Sequence, residues 1–347
     1  MSNVLFRQFT KKAFCFLLFL LIFEKSFSQF SDWDIVPVSF KKAHEPKGAI
    51  KTQTKYDYEH DDKTDSLVLL YKETSHYNRQ GNATNYSFYS FANNQIWHSY
   101  VCNTIYDEKG NLIEQVSYSL AYETIRDTSV YFYFYDDDGY LVKDSVFFDD
   151  YHGKSLYEYD AQKKLLKGEE WDYKHNAFNA NYFQYDSLGR LCMGEAYEDS
   201  VLTQKTIYAY DSNNNLISIV YDGNTHEREE YFYKYDEQNN RIELTIFVDG
   251  KQDQKYVYGY NKSNNVIQII MFGNDTTLVS ITTLEYDANG NKIKEKEEVP
   301  DNNYFSECTF KYDSHGNLIE WISRFWYADN PEKKMGRSTI FEIEYYE

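Results

Sequence analysis

The chain has 347 residues, a formal charge of -19 at pH 7 and a mean hydropathy of -0.71. A surface this acidic repels phosphate backbones and anionic lipid, which excludes nucleic-acid and headgroup binding and favours solubility. Thirty-six tyrosines and twenty-four phenylalanines beside only four prolines suit many half-buried strands better than helices.

In chain order, a basic start (Arg7, Lys11, Lys12) precedes the apolar run AFCFLLFLLIF, which is short for a membrane span, and EKSFSQ then offers small residues at Ser26 and Ser28. Residues 1–28 therefore read as a cleaved signal peptide, and the mature chain as secreted or periplasmic, with no membrane insertion. Cys15 lies within the apolar run, so a lipid-attached N-terminus is not expected. Removing four basic residues and one acid with that segment takes the formal charge to -22. Cys102, Cys192 and Cys308 remain, an odd, widely spaced set that reads as small buried side chains rather than a disulfide framework. Residues 29–76, with Pro37 and Pro46, show no clear repeat and read as an N-terminal cap.

From there a unit recurs on a tyrosine anchor at Tyr77, Tyr106, Tyr135, Tyr159, Tyr185, Tyr210, Tyr235, Tyr260, Tyr286 and Tyr312, at spacings of 24 to 29 residues. A period in this range marks a repeat architecture. Four residues after each anchor stands Gly or Asn, except at Lys163. These residues tolerate positive φ, as the left-handed position after a type I turn requires in a bulged hairpin loop. An acid directly after most anchors, such as Asp107 or Asp211, can accept hydrogen bonds from the turn amides. At Lys163 the same turn forces a Cβ into the left-handed region at a cost of roughly 1 kcal/mol.

Strand alternation places Tyr133, Tyr157, Phe183, Tyr208, Tyr233, Tyr258 and Phe310 on the anchor face, joined after the turn by Leu112, Leu141, Leu165, Leu191, Leu216, Val266 and Leu318. The same counting assigns Ile217 with Ile219, Ile242 with Leu244, Ile267 with Ile269, and also Asp144, Gly168, Gly194 and Glu295, to the opposite face. An open twisted sheet of about twenty strands exceeds the usual limit of about ten. The fold class is thus all-β, an antiparallel meander of hairpins curled into a spiral or part-closed shell. The final STIFEIEYYE reads as half a unit laid on the last edge.

Units such as YDEKGNLIEQ, YDSLGRLCMG, YDANGNKIKE and YDSHGNLIEW resemble the YD repeats of RHS-type and teneurin-like proteins, across residues 77–347. The resemblance implies a spiralling antiparallel sheet with tyrosines in its packed interior; large members form hollow shells that enclose a toxin domain or present surfaces for carbohydrate and adhesion partners. No DPxGL-type core motif and no toxin-like segment accompany the repeats, so encapsulation and self-processing are not expected.

For chemistry the sequence offers little. The histidines are scattered, and HExxH, paired-Cys, GxSxG and GxxxxGK[ST] patterns are absent, so neither an enzyme, a metal site nor a cofactor is expected. The run DSNNN from Asp211 and the cluster at Asp61, Asp62 and Asp65 raise calcium, but Leu216 stands where that loop needs glycine, and turn chemistry explains Asp211 more simply. Aromatic rings can stack on sugars, which makes Trp97, Trp171, Trp321 and Trp326 candidate ligand-binding residues, with Trp97 and Trp326 outside the repeat phase. The expectation is a non-enzymatic repeat protein that binds a glycan, an envelope polymer or an envelope protein at the cell surface. Two alternatives stand beside it: a scaffold without a small ligand, and a hydrolase built from scattered carboxylates.

Overall fold

The computed structural model describes residues 47–347 apart from 61–65, 93–94, 122–123, 149–150, 225–226 and 275, within a compact unit His44–Glu347. The signal peptide, the start of the cap and the acidic cluster at Asp61, Asp62 and Asp65 lie outside the described residues.

Each repeat forms its hairpin through the same local chemistry. At the second unit the Asp107 amide donates to the Asn111 carbonyl and the Gly110 amide to the Asp107 carbonyl. The Asp107 carboxylate meanwhile accepts from the Lys109 and Asn111 amides at 2.9 and 2.8 Å. All ten positions four residues past an anchor have positive φ, Lys163 included at 63°. The turns follow their residues one for one.

The anchor tyrosines supply a second, tertiary regularity. Nine anchor hydroxyls each donate to the backbone carbonyl six residues past the preceding anchor: Tyr135 to Leu112, Tyr159 to Leu141, Tyr185 to Leu165, and so on to Tyr312 on Lys292, at 2.7 to 2.9 Å. A ring alone would pack equally well as phenylalanine, so the hydroxyl explains why the unit keeps tyrosine. Each such bond contributes about 1 kcal/mol net.

Among the described residues, twenty-two strands run in chain order from β1 (Ile50–His60) to β22 (Asn330–Tyr345), each antiparallel to the next. β22 also pairs with β1 over eight residues, from Thr52 opposite Glu344 to Glu59 opposite Arg337. The sheet therefore closes into an up-and-down barrel, which corrects the expectation of a spiral or part-closed shell. The C-terminal half-unit, as β22, has one partner on each side, so it seals an edge rather than ending one. Past the end of β22 the Tyr346 hydroxyl donates to the backbone carbonyl of the anchor Tyr77. The described part of the cap supplies β1 and β2 (Leu67–Tyr77), which belong to the same sheet.

A bulge helps the sheet to close. At all ten anchors the register shifts by one residue; Tyr210, for example, faces Leu216 while Ala209 faces Ser218. Bulges of this kind increase twist and bend the strand, as closure requires. The extra residue also reverses the phase of everything after it. Ile219 therefore pairs with Tyr208 and is only 3% exposed, whereas Ile217, inside the bulge, is 36% exposed. Leu244 faces Tyr233, Ile269 faces Tyr258, Asp144 faces Tyr133, Gly168 faces Tyr157, Gly194 faces Phe183 and Glu295 faces Leu284. All share the anchor face, not the opposite one that simple alternation assigned.

Tyr133, Leu141, Leu191, Ile219, Leu244, Tyr258, Val266 and Leu284, all buried, lie on the anchor face, while Ile105, Phe134, Ile207 and Phe232 on the other face are exposed. In a closed sheet the crowded face is the concave one, so the anchor face lines the interior. The outer face is laced with cross-strand charge pairs, such as Lys205–Glu195 at 3.0 Å, Lys255–Glu243 at 2.9 Å and Lys294–Glu307 at 2.9 Å.

Candidate functional site

Two places gather chemistry-bearing side chains, one inside the barrel and one outside. The inner one is a row of polar residues directly opposite one another on four successive strands: Asp144 on β7 (Leu141–Phe148), Ser155 on β8 (Tyr151–Tyr159), Glu170 on β9 (Leu165–Asp172) and Asn179 on β10 (Ala177–Tyr185). Asp144 accepts from the Ser155 hydroxyl at 3.0 Å and from the Tyr157 hydroxyl at 2.7 Å. Burial pushes the Asp144 and Glu170 carboxyls above their usual range, and each raised value reflects the cost of holding a charge away from water. Beside them the Tyr133 hydroxyl, in a residue 4% exposed, has no hydrogen-bond partner among the described residues. The rings of Tyr157 and Phe183 cover Gly168 and Gly194, where a side chain would otherwise stand. Asp144 is thus occupied by the Ser155 and Tyr157 hydroxyls, both from β8.

The outer place is an aromatic strip that ends in a cleft. The His152 ring stacks between Phe147 at 4.5 Å and Tyr173 at 4.9 Å, across β7, β8 and the end of β9. Tyr173 is 54% exposed and Phe147 is also exposed. Alongside lies an open cleft of about 370 Å³ between the β9–β10 turn and the turn joining β11 (Leu191–Glu198) to β12 (Val201–Tyr210). Trp171, Tyr173 and Phe178 supply its rings, Asp172 and Asp199 its carboxylates, and Asn176 and Ser200 further polar groups.

Tight turns build this cleft. Asp199 and Ser200 both adopt positive φ, giving a two-residue hairpin, and the Asp199 carboxylate accepts from the Phe178 amide at 2.9 Å, tying the two turns together. Asp172 accepts from the Lys174 and His175 amides and from His175 Nδ1 at 2.6 Å, which holds its carboxyl below the usual range although partial burial opposes this. Trp171 packs on Phe178 at 5.2 Å, and the Lys154 ammonium lies 5.4 Å from its ring centroid.

The other predicted tryptophans stand elsewhere. Trp97 occupies a bulge of β4 (Gln95–Tyr106) and is 56% exposed. Trp321 and Trp326 are on β21 (Leu318–Tyr327); Trp321 faces inward, stacked on Phe310 at 6.2 Å, and Trp326 stacks on Phe305 at 6.0 Å. With β4 five strands from β9 on one side and five from β21 on the other around the barrel, the four do not form a single groove. Only Trp171 lines the cleft. Tyr173, Phe178 and Asp199 escaped the sequence reading, because their joint position depends on two hairpin ends being neighbours. As for calcium, the Asp211 carboxylate accepts from Asn213, from the Asn215 amide and from the Asn215 side chain, so its own turn uses it.

No protein-family model matches the chain, and no curated protein matches it. Among solved structures, a Tc holotoxin pore from Photorhabdus luminescens is 14% identical with a TM-score of 0.41, covering 83% of this chain and 18% of that one. A TcdB2-TccC3 structure is 13% identical with a TM-score of 0.42 over 80% of this chain and 19% of that one. A porin-like protein from Bacteroides uniformis is 9% identical with a TM-score of 0.32, covering 86% of this chain and 98% of that one. The chain spans less than a fifth of either Tc chain. The barrel fold follows from the strand pairing alone.

Proposed function

We propose that the chain is a short YD-repeat protein of the RHS and teneurin-like kind, secreted or periplasmic, that acts by binding rather than by catalysis. Its partner is a carbohydrate or other envelope polymer, held on the outer aromatic strip. The observation that carries this reading is the exposed row Phe147–His152–Tyr173 leading into the Trp171 cleft, since exposed rings beside polar rims suit stacking on sugar faces. The basic and apolar N-terminal segment supports export. The lattice of Lys–Glu pairs supports an outer face in water, because a charge at a bilayer midplane costs about 2 to 4 kcal/mol for Lys in a barrel.

A glycan and envelope-polymer binding screen with tryptophan fluorescence tests the reading. A binder lost on Trp171→Ala or Tyr173→Ala, with the melting temperature unchanged, is the expected result. Silence across the screen, or binding indifferent to both variants, would leave the barrel as a scaffold.

A further inference from the structure

The cleft differs from a neutral sugar platform in its charge. Its three rings, Trp171, Tyr173 and Phe178, are flanked by two carboxylates, on a chain of formal charge -19. Aromatic faces attract cations through their quadrupole, and nearby carboxylates add to that attraction. The chain itself demonstrates the preference: Lys154, directly opposite Trp171 in the β8–β9 register, rests its ammonium over the indole ring. One Asp199 oxygen accepts the Phe178 amide, which leaves the other for a ligand donor. An acidic glycan would instead bring its own negative charge to the Asp199 carboxylate.

We propose that the cleft between the β9–β10 and β11–β12 turns recognises an amino sugar, its ring stacked on the aromatic wall and its ammonium directed to Asp199. The inference rests on the carbohydrate-binding reading and narrows it to cationic sugars. Lys154 is then an internal competitor for the Trp171 ring, and the stacked sugar ring displaces it.

The test titrates the protein with glucosamine oligomers, their N-acetylated counterparts and trilysine, following tryptophan fluorescence at low and high salt. Glucosamine oligomers are expected to bind, with affinity falling several-fold at high salt. Asp199→Asn, which keeps a residue tolerant of positive φ, should weaken that binding about tenfold, and Lys154→Gln should strengthen it. Equal or tighter binding of the N-acetylated oligomers would overturn the charge argument while leaving carbohydrate binding in place. Equal binding of trilysine would overturn the sugar. No binding by any of the three overturns the inference, and the wider glycan and polymer screen then decides separately whether the strip binds at all.

Discussion

The inner face of the barrel has two sectors built on one backbone plan. Around Ile219, Leu244 and Ile269 the position nine residues past each anchor is aliphatic and faces an aromatic partner, with Ile219 and Leu244 buried. From β7 to β11 the same position holds Asp144, Gly168 and Gly194, with Ser155 and Glu170 nearby. The turn hydrogen bonds and tyrosine ladder are the same in both. Backbone-directed bonds thus set the repeat, while the inner side chains vary without breaking it.

The largest expected effect separates the sectors by packing. Leu244 is 0% exposed, so Leu244→Ala should cost about 2 to 5 kcal/mol in chemical denaturation. In the polar sector, Asp144→Asn with Glu170→Gln should be neutral or stabilising near pH 7, because it removes two carboxyls whose ionisation burial opposes. A loss as large as that of Leu244→Ala would contradict the division.

The titration of the same carboxyls sharpens the contrast. A raised folded pKa means the folded chain holds protons that the unfolded chain has released, so stability falls as pH rises from the ordinary value of 3.8 for Asp through the raised value. The turn aspartates act in the opposite sense. Hydrogen bonds from Asn111, Asn215 and Asn240 hold Asp107, Asp211 and Asp236 low, so their stabilisation is present above 3.8 and is lost as pH falls through the depressed values. Melting across this range should show a maximum, and the double variant should remove only the fall on its high-pH side.

The ladder should ignore the sector. Tyr159→Phe in the polar part and Tyr260→Phe in the apolar part each delete one hydroxyl bond to a carbonyl, to Leu141 at 2.9 Å and to Arg241 at 2.7 Å. Burial pushes both phenols up to about 12, so both remain donors at neutral pH. Each variant should cost about 1 kcal/mol, and a clear inequality would show that the ladder depends on its surroundings. The smallest effect belongs to Lys163→Gly. It relieves the left-handed Cβ but removes ammonium contacts to Asp136 at 3.2 Å and Asp138 at 2.7 Å. Its stabilisation, read as a melting shift, should emerge at high salt, where the ion pairs are screened.

These residues also show what the sequence could reveal. Turn positions were legible because positive φ is a property of single residues, and Lys163 obeyed the turn despite its side chain. The hydroxyl ladder was not read, although the persistence of tyrosine where phenylalanine would pack was its signal. The run Leu216, Ile217, Ile219 carried the sign of a bulge, an apolar residue too many for strict alternation. Barrel closure pairs residues nearly three hundred positions apart, which a local repeat cannot foretell. Of the outer site, Trp171 was visible by residue type, while its companions Tyr173, Phe178 and Asp199 come together only when two hairpin ends meet.

A cross-link across the β1–β22 seam shows whether the sheet closes. Thr54 and Glu342 are directly opposite in register, within the span a disulfide can bridge. In a background with Cys102, Cys192 and Cys308 replaced, Thr54→Cys with Glu342→Cys should form a disulfide within one chain under mild oxidation, without loss of the folded signal. Free thiols, or bonds formed only between chains, would mean that the sheet stays open and that β22 ends an edge instead of sealing one.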